Sequence, residues 1–99
     1  MKISEKKIRS ALYSLGRGPD QIAKSLRNRR IKGTPYDELN CPITEFLRRK
    51  FKGFSFLMGA GLEYCDAEYK TVGEISPNRQ ILRFVTNFDN GKYTTLIAD

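Results

Sequence analysis

The sequence predicts an α+β domain in which three N-terminal helices pack on a small antiparallel sheet. That sheet is read as a β-hairpin plus a C-terminal strand, with a fourth helix before the last strand. Three observations lead there. Capping residues precede apolar positions at helical spacing up to about residue 52. From Phe54 the pattern changes to strict alternation. After Ser76 the caps and the helical spacing return. With 99 residues, one domain spanning 1–99 is expected, divided into a basic helical half (1–52) and an α/β half (53–99).

Ser4 reads as the first N-cap, with Ile3 before it and Ile8 after it placed as a hydrophobic staple. Ile8, Ala11, Leu12 and Leu15 recur at helical spacing, and Gly16 is placed to end the helix. Gly18-Pro19-Asp20 starts a second helix, with Pro at the first position and an acid near the positive end of the dipole. Its apolar stripe is Ile22, Ala23 and Leu26, and it is expected to stop near Gly33. Residues 33–41 are rich in turn formers and read as a loop. Pro42 opens a third helix, with Ile43, Phe46, Leu47 and Phe51 toward the core and Gly53 closing it.

Phe54, Phe56 and Met58 alternate with Ser55 and Leu57 as a strand. Gly59-Ala60-Gly61 makes the turn, and Leu62-Glu63-Tyr64-Cys65 pairs back. The stretch 66–75 is ambiguous, although Tyr69, Thr71 and Val72 alternate as another strand would. Ser76-Pro77 reads as an N-cap followed by Pro at the first position of the fourth helix, with Ile81, Leu82, Val85 and Phe88 at helical spacing. The β-propensity of Phe84-Val85-Thr86 yields to the caps and the period. Asp89-Asn90-Gly91 breaks the helix, and Tyr93-Thr94-Thr95-Leu96-Ile97 reads as the final strand.

Composition closes several routes to catalysis. The chain has no histidine, which removes Ser-His-Asp and Cys-His devices, His-ligated metals and imidazole switches. No run of 18 apolar residues spans a membrane. Met1-Lys2-Ile3-Ser4-Glu5-Lys6-Lys7 lacks the features of a signal peptide, so a cytoplasmic location is expected. The two cysteines, Cys41 and Cys65, have no CxxC spacing and read as reduced structural residues. Cys41 sits at a helix start that lowers thiol pKa values, but it lacks a histidine base, and an N-cap and packing role is preferred. Glu63, Asp66, Glu68 and Glu74 lack the spacing of a metal motif and read as a solvated face. No catalytic residue, metal site or cofactor is expected.

The charge is unevenly placed. The net charge is +7, but residues 1–52 carry 14 basic and 5 acidic groups (+9), whereas 53–99 carry 4 and 6 (−2). The basic supply lies at the ends of the second and third helices: Lys24, Arg27, Arg29, Arg30 and Lys32, then Arg48, Arg49, Lys50 and Lys52. If these ends converge, they make one patch able to neutralise several phosphates. Cations also favour helix C-termini, each by about 0.3–1 kcal/mol, but +9 over 52 residues exceeds what capping requires.

Two further patterns compete with a plain core reading. Lys52-Gly53-Phe54-Ser55-Phe56-Leu57-Met58-Gly59 resembles the base-stacking strand of RNA-recognition motifs. Gly59 replaces its last aromatic and three helices precede it, so core positions for Phe54 and Phe56 are preferred. Gln21-Ile22-Ala23-Lys24-Ser25-Leu26 resembles the first helix of a helix-turn-helix. The connection from Lys32 to Cys41, about ten residues with Pro35, Asp37 and Glu38, is too long for its three- to four-residue turn. The third helix would then have to read bases, and Pro42, Ile43 and Thr44 offer little for that.

Taken together, Cys41-Pro42-Ile43 with Leu47, then Phe54 and Gly59, then Phe84, Val85, Phe88, Asp89, Gly91, Leu96 and Ile97 resemble the pattern of a group of short uncharacterised bacterial and phage proteins. Some members carry a segment similar to Asp20-Gln21-Ile22-Ala23, Leu26 and Ile31-Lys32-Gly33. The resemblance implies a shared fold and no particular activity. The expected function is therefore a non-enzymatic accessory protein contacting DNA or RNA, or a nucleoprotein, through its basic helical face. The alternative is a protein-interaction module or inhibitor, of phage or mobile-element type, docking on an acidic protein surface.

Overall fold

Capping side chains, or a proline at the first helical position, mark where the helices begin. The computed structural model describes residues 3–66, 68 and 70–98. Its helices are α1 (Glu5–Tyr13), α2 (Pro19–Asn28), α3 (Pro42–Lys50) and α4 (Arg79–Asp89). Ser4 is extended, and its Oγ accepts from the Lys7 amide at 3.2 Å, satisfying one of the first-turn N–H groups. Ile3 packs on the core to which Ile8 belongs, as a staple requires. Gly18 precedes Pro19 at the start of α2. Cys41 caps α3, its Sγ accepting from the Thr44 amide at 3.5 Å.

Two helix boundaries differ from the sequence expectation. α4 begins at Arg79 because Asn78, not Ser76, supplies the cap: its Oδ1 accepts from the Ile81 amide at 2.9 Å. Pro77 is buried before the helix, and the Ser76 carbonyl accepts from Arg9 of α1 at 3.0 Å. α2 ends at Asn28, well before Gly33. Arg30 takes a left-handed backbone (φ 57), and the amides of Arg30 and Ile31 return to the carbonyls of Arg27 (2.9 Å) and Leu26 (3.0 Å). Gly33 has a different role. A Cβ there would lie 2.6 Å from the Asn40 carbonyl oxygen and the Pro42 nitrogen, so the chain passes where only glycine fits.

The sheet is antiparallel with order β1-β2-β3, formed by Ser55–Met58, Leu62–Cys65 and Thr71–Ile75. Phe56 lies opposite Tyr64, Met58 opposite Leu62, and Leu62 opposite Ile75, and all five are buried on the inner face. Leu57, Glu63 and Glu74 alternate outward. Phe56 packs 6.2 Å from the Phe51 ring and 6.5 Å from Tyr64, and Phe54 is half-buried against the same core. The aromatic alternation therefore serves the interior. The stretch with ambiguous patterning supplies β3; Tyr69 lies outside the described residues. A register shift after Tyr64 pairs Cys65 with Thr71 and leaves Val72 as the extra residue of a bulge.

The third strand is thus 71–75, and the segment expected as a last strand is built otherwise. α4 precedes it as expected, but Tyr93 is left-handed (φ 60) and Thr94–Leu96 forms a 3-10 turn. Among the described residues of this segment, Ile97 alone makes a bridge, parallel, to Gly33. The Tyr93 ring stacks on Phe84 at 5.4 Å, which turns the chain before a strand can start. The Gly33 amide then donates to the Leu96 carbonyl at 2.8 Å, and the Ala98 amide to the Gly33 carbonyl at 2.8 Å.

The core joins Ile8 and Leu12 of α1, Ile22 and Leu26 of α2, Ile43 and Leu47 of α3, the inner sheet face, and Ile81, Phe84 and Phe88 of α4. α2 packs on α4, and α3 on β1. Gly73 lets the Tyr64 ring cross β3: a Cβ there would lie 2.6 Å from Tyr64 Cζ. Gly73→Ala is expected to cost about 1–3 kcal/mol, read as a lower urea midpoint at unchanged m-value.

Candidate polyanion-binding surface

The ends of α2 and α3 do meet. Arg29 follows the last turn of α2, and its guanidinium donates back to the Ser25 carbonyl at 3.2 Å and to Ser25 Oγ. The same group lies 5.6 Å from the centroid of the Phe46 ring on α3, a cation–π placement. From α3, Arg49 Nη1 donates to the Arg29 carbonyl at 3.5 Å. Arg29, Arg49 and the adjoining Arg30 thus form one basic junction, with all three side chains exposed.

The other predicted cations fall elsewhere. Arg27 lies on the opposite flank of α2 and Lys24 between that flank and Arg29, and both line a cleft of about 270 Å³ with Asp20, Tyr93, Thr94 and Thr95. Tyr93 Oη donates to Asp20 Oδ1 at 2.7 Å and accepts from Asn87 Nδ2 at 3.4 Å. Burial, followed by the neighbouring Asp20 carboxylate, pushes the Tyr93 phenol above its ordinary pKa. Lys50 lies in a third place, a groove of about 290 Å³ shared with Lys7, Ser10, Ser14 and Phe51. Lys32 and Lys52 are exposed in the segments that follow α2 and α3. The single patch expected from the sequence is therefore divided. Lys7 is a cation that residue spacing missed: the Lys6-Lys7 pair was visible, but only packing of α1 beside the end of α3 sets it next to Lys50.

Arg48 is a structural brace. Its Nη2 pairs with Glu45 Oε2 at 2.7 Å, and its Nη1 donates to the Leu39 carbonyl, tying α3 to the preceding loop. Glu45 also holds Arg49 Nε at 3.3 Å. Among the described residues, Lys24, Arg27, Arg29, Arg30, Lys32, Lys50 and Lys52 have no carboxylate at ion-pair distance.

Hydrogen bonding from Arg48, then Arg49, holds the Glu45 carboxyl below the usual range and outweighs the opposing effect of partial burial. Because the folded pKa is lowered, this contribution to stability is present above the unfolded glutamate pKa and is lost as pH falls through the folded one. Glu45→Gln removes the clamp at neutral pH. It is expected to change stability by less than about 1 kcal/mol and to tighten binding of a DNA oligonucleotide by removing a negative charge beside Arg49, while Arg48 stays tied to the Leu39 carbonyl, measured by fluorescence anisotropy.

The remaining chemistry is muted. Cys41 is 3 % exposed, and burial pushes its thiol pKa up despite the Thr44 amide that donates to it, the reverse of an activated thiolate. Glu63 faces Glu74 across β2 and β3, while Asp66 Oδ1 accepts from the amides of Glu68 (2.9 Å) and Lys70 (3.0 Å) in a local turn. Among the described residues, no group of three or more Cys, Asp or Glu side chains is placed to hold a metal ion. Among them, too, no helix is long and apolar enough to cross a membrane. Compared with family models, with curated proteins and with solved structures, the chain matches none.

Proposed function

We propose that this protein is a non-enzymatic accessory protein that contacts nucleic acid, or a nucleoprotein, through the basic faces of α2 and the α2–α3 junction. The observation that carries this is Arg30. It occupies the left-handed position that closes α2, where glycine is the usual residue and an L side chain costs about 1 kcal/mol. Among the described residues, the other non-glycine positions with positive φ are Tyr36 and Tyr93, and the structure anchors both. Tyr36 Oη is 2.9 Å from Asn90 Oδ1, and Tyr93 Oη is 2.7 Å from Asp20 Oδ1. The Arg30 side chain makes no hydrogen bond or ion pair among the described residues, and the backbone bonds that close the helix there would be made by glycine as well. A cation kept in that position, beside Arg29 and Arg49, fits a ligand outside the chain that is rich in negative charge.

Arg30→Gly separates stability from binding. The variant is expected to be more stable by up to about 1 kcal/mol and to bind a 20-nucleotide DNA more weakly, with its log-log salt slope lower by about one. A more stable variant with unchanged affinity and slope would contradict the proposal. Co-purification of one protein that survives nuclease treatment would assign the same cations to an acidic protein face.

A further inference from the structure

The two flanks of α2 carry cations on opposite sides of a polar stripe, and that arrangement has a specific fit. We propose, resting on the nucleic-acid reading above, that α2 enters the major groove of duplex DNA. Gln21, Lys24 and Asn28 would face the base edges, with the flanking cations facing the two phosphate backbones.

At about 100° per residue, Gln21, Lys24 and Asn28 fall within about 60° of one another, and all three are exposed. Buried Ile22, Ala23 and Leu26 hold the opposite side of the helix on the core. On one flank Arg27 faces the cleft that ends at Tyr93 and Thr94. On the other, Arg29 leans over Phe46, with Arg49 beyond it. The acid of this helix, Asp20, lies in its first turn outside the stripe and accepts from Tyr93. A helix about 10–12 Å across matches a B-form major groove about 12 Å wide, and ten residues extend about 15 Å along it.

The stripe also has the right chemistry. Amide side chains recognise adenine edges and lysine recognises guanine. Gln21 Oε1 accepts from the Arg17 amide at 2.9 Å, which leaves its NH₂ to donate to a base. α3, the helix that sequence spacing would have sent into the groove, is unsuited to it. Its first-turn Pro42, Ile43 and Thr44 are buried, and Arg48 is engaged by Glu45 and the Leu39 carbonyl. The deep, narrow major groove of duplex RNA does not admit such a helix.

The test measures anisotropy of the full chain with a mixed-sequence 16-base-pair DNA duplex, one of its single strands, and the RNA duplex of the same sequence. A selection from random DNA duplexes follows. The DNA duplex is expected to bind at least about tenfold tighter than the other two, and the selection to enrich a site. The double variant Gln21→Ala, Asn28→Ala should lose about tenfold of the preference for that site while keeping the wild-type salt slope, with a melting temperature lower by no more than about 8 °C through loss of the Gln21–Arg17 bond. Equal, salt-dependent binding to all three probes, or a double variant that keeps the full preference, overturns the groove placement and leaves polyanion contact standing. No salt-dependent binding to any probe overturns both.

Discussion

Replacing Phe84 with alanine is expected to remove about 3–5 kcal/mol of stability, far more than a surface substitution would. Phe84 is fully buried on α4, where it stacks 6.1 Å from Phe88 and 5.4 Å from Tyr93. Truncation leaves a ring-sized cavity beside Phe88 and Tyr93, and a rigid interior closes such a cavity only in part. A domain of this size has about 5–15 kcal/mol in total, so the variant should melt at least about 12 °C lower. Loss of the stacking partner also loosens Tyr93, which walls the cleft beside Lys24 and Arg27. Leu82→Ala on the exposed side of the same helix should cost about 1 kcal/mol or less, which distinguishes core packing from a general effect on α4.

The second large effect concerns binding. Alanine at Arg29, Arg30 and Arg49 together should lower the log-log salt slope for DNA by about three, at about 0.9 for each phosphate no longer neutralised. The matched control is Lys70, Arg79 and Arg83 changed to alanine in the other half of the chain, which removes the same net charge. If location matters, the control triple keeps most of the wild-type slope. If both triples lose equally, the attraction belongs to net charge and the α2–α3 junction has no special part. Thermal melts of both triples separate weakened binding from weakened folding, because Arg29 packs on Phe46 and Arg49 reaches the Arg29 carbonyl.

Much of the fold was legible because local chemistry and tertiary packing agree. Ser4 before a helical stripe, Pro42 after a capping Cys41, and the Phe56–Met58 alternation each carry a local cause that survives folding. Where the reading departs from the structure, a contact distant in sequence decides. Tyr93–Ile97 has strand propensity, but stacking of Tyr93 on Phe84 turns the chain first. Ser76 and Asn78 both offer a capping oxygen; Asn78 Oδ1 is the one that accepts from the helix, while the Ser76 carbonyl accepts from Arg9. α2 ends at Asn28 and is closed by a left-handed Arg30, against the preference for glycine, while Gly33 serves a close backbone approach that no local pattern records.

The candidate surface was half legible. Charge and residue type could be counted along the chain, and their excess in residues 1–52 was plain. Their grouping depends on the phase of α2 and on which face of α3 is buried. That is why Lys24 and Arg27 part from Arg29, and why Arg48 turns inward. The double engagement of Glu45 with Arg48 and Arg49 could have been found, since the residues stand at i+3 and i+4 on one helix.

The basic helical half is proposed to meet a polyanion. Binding of the wild-type chain to a mixed-sequence DNA, measured from low to physiological salt, tests it most directly. The expected result is a linear fall of log affinity with log salt, with a slope of about −3 or steeper. Absence of salt-dependent retention of either DNA or RNA at low salt would contradict it.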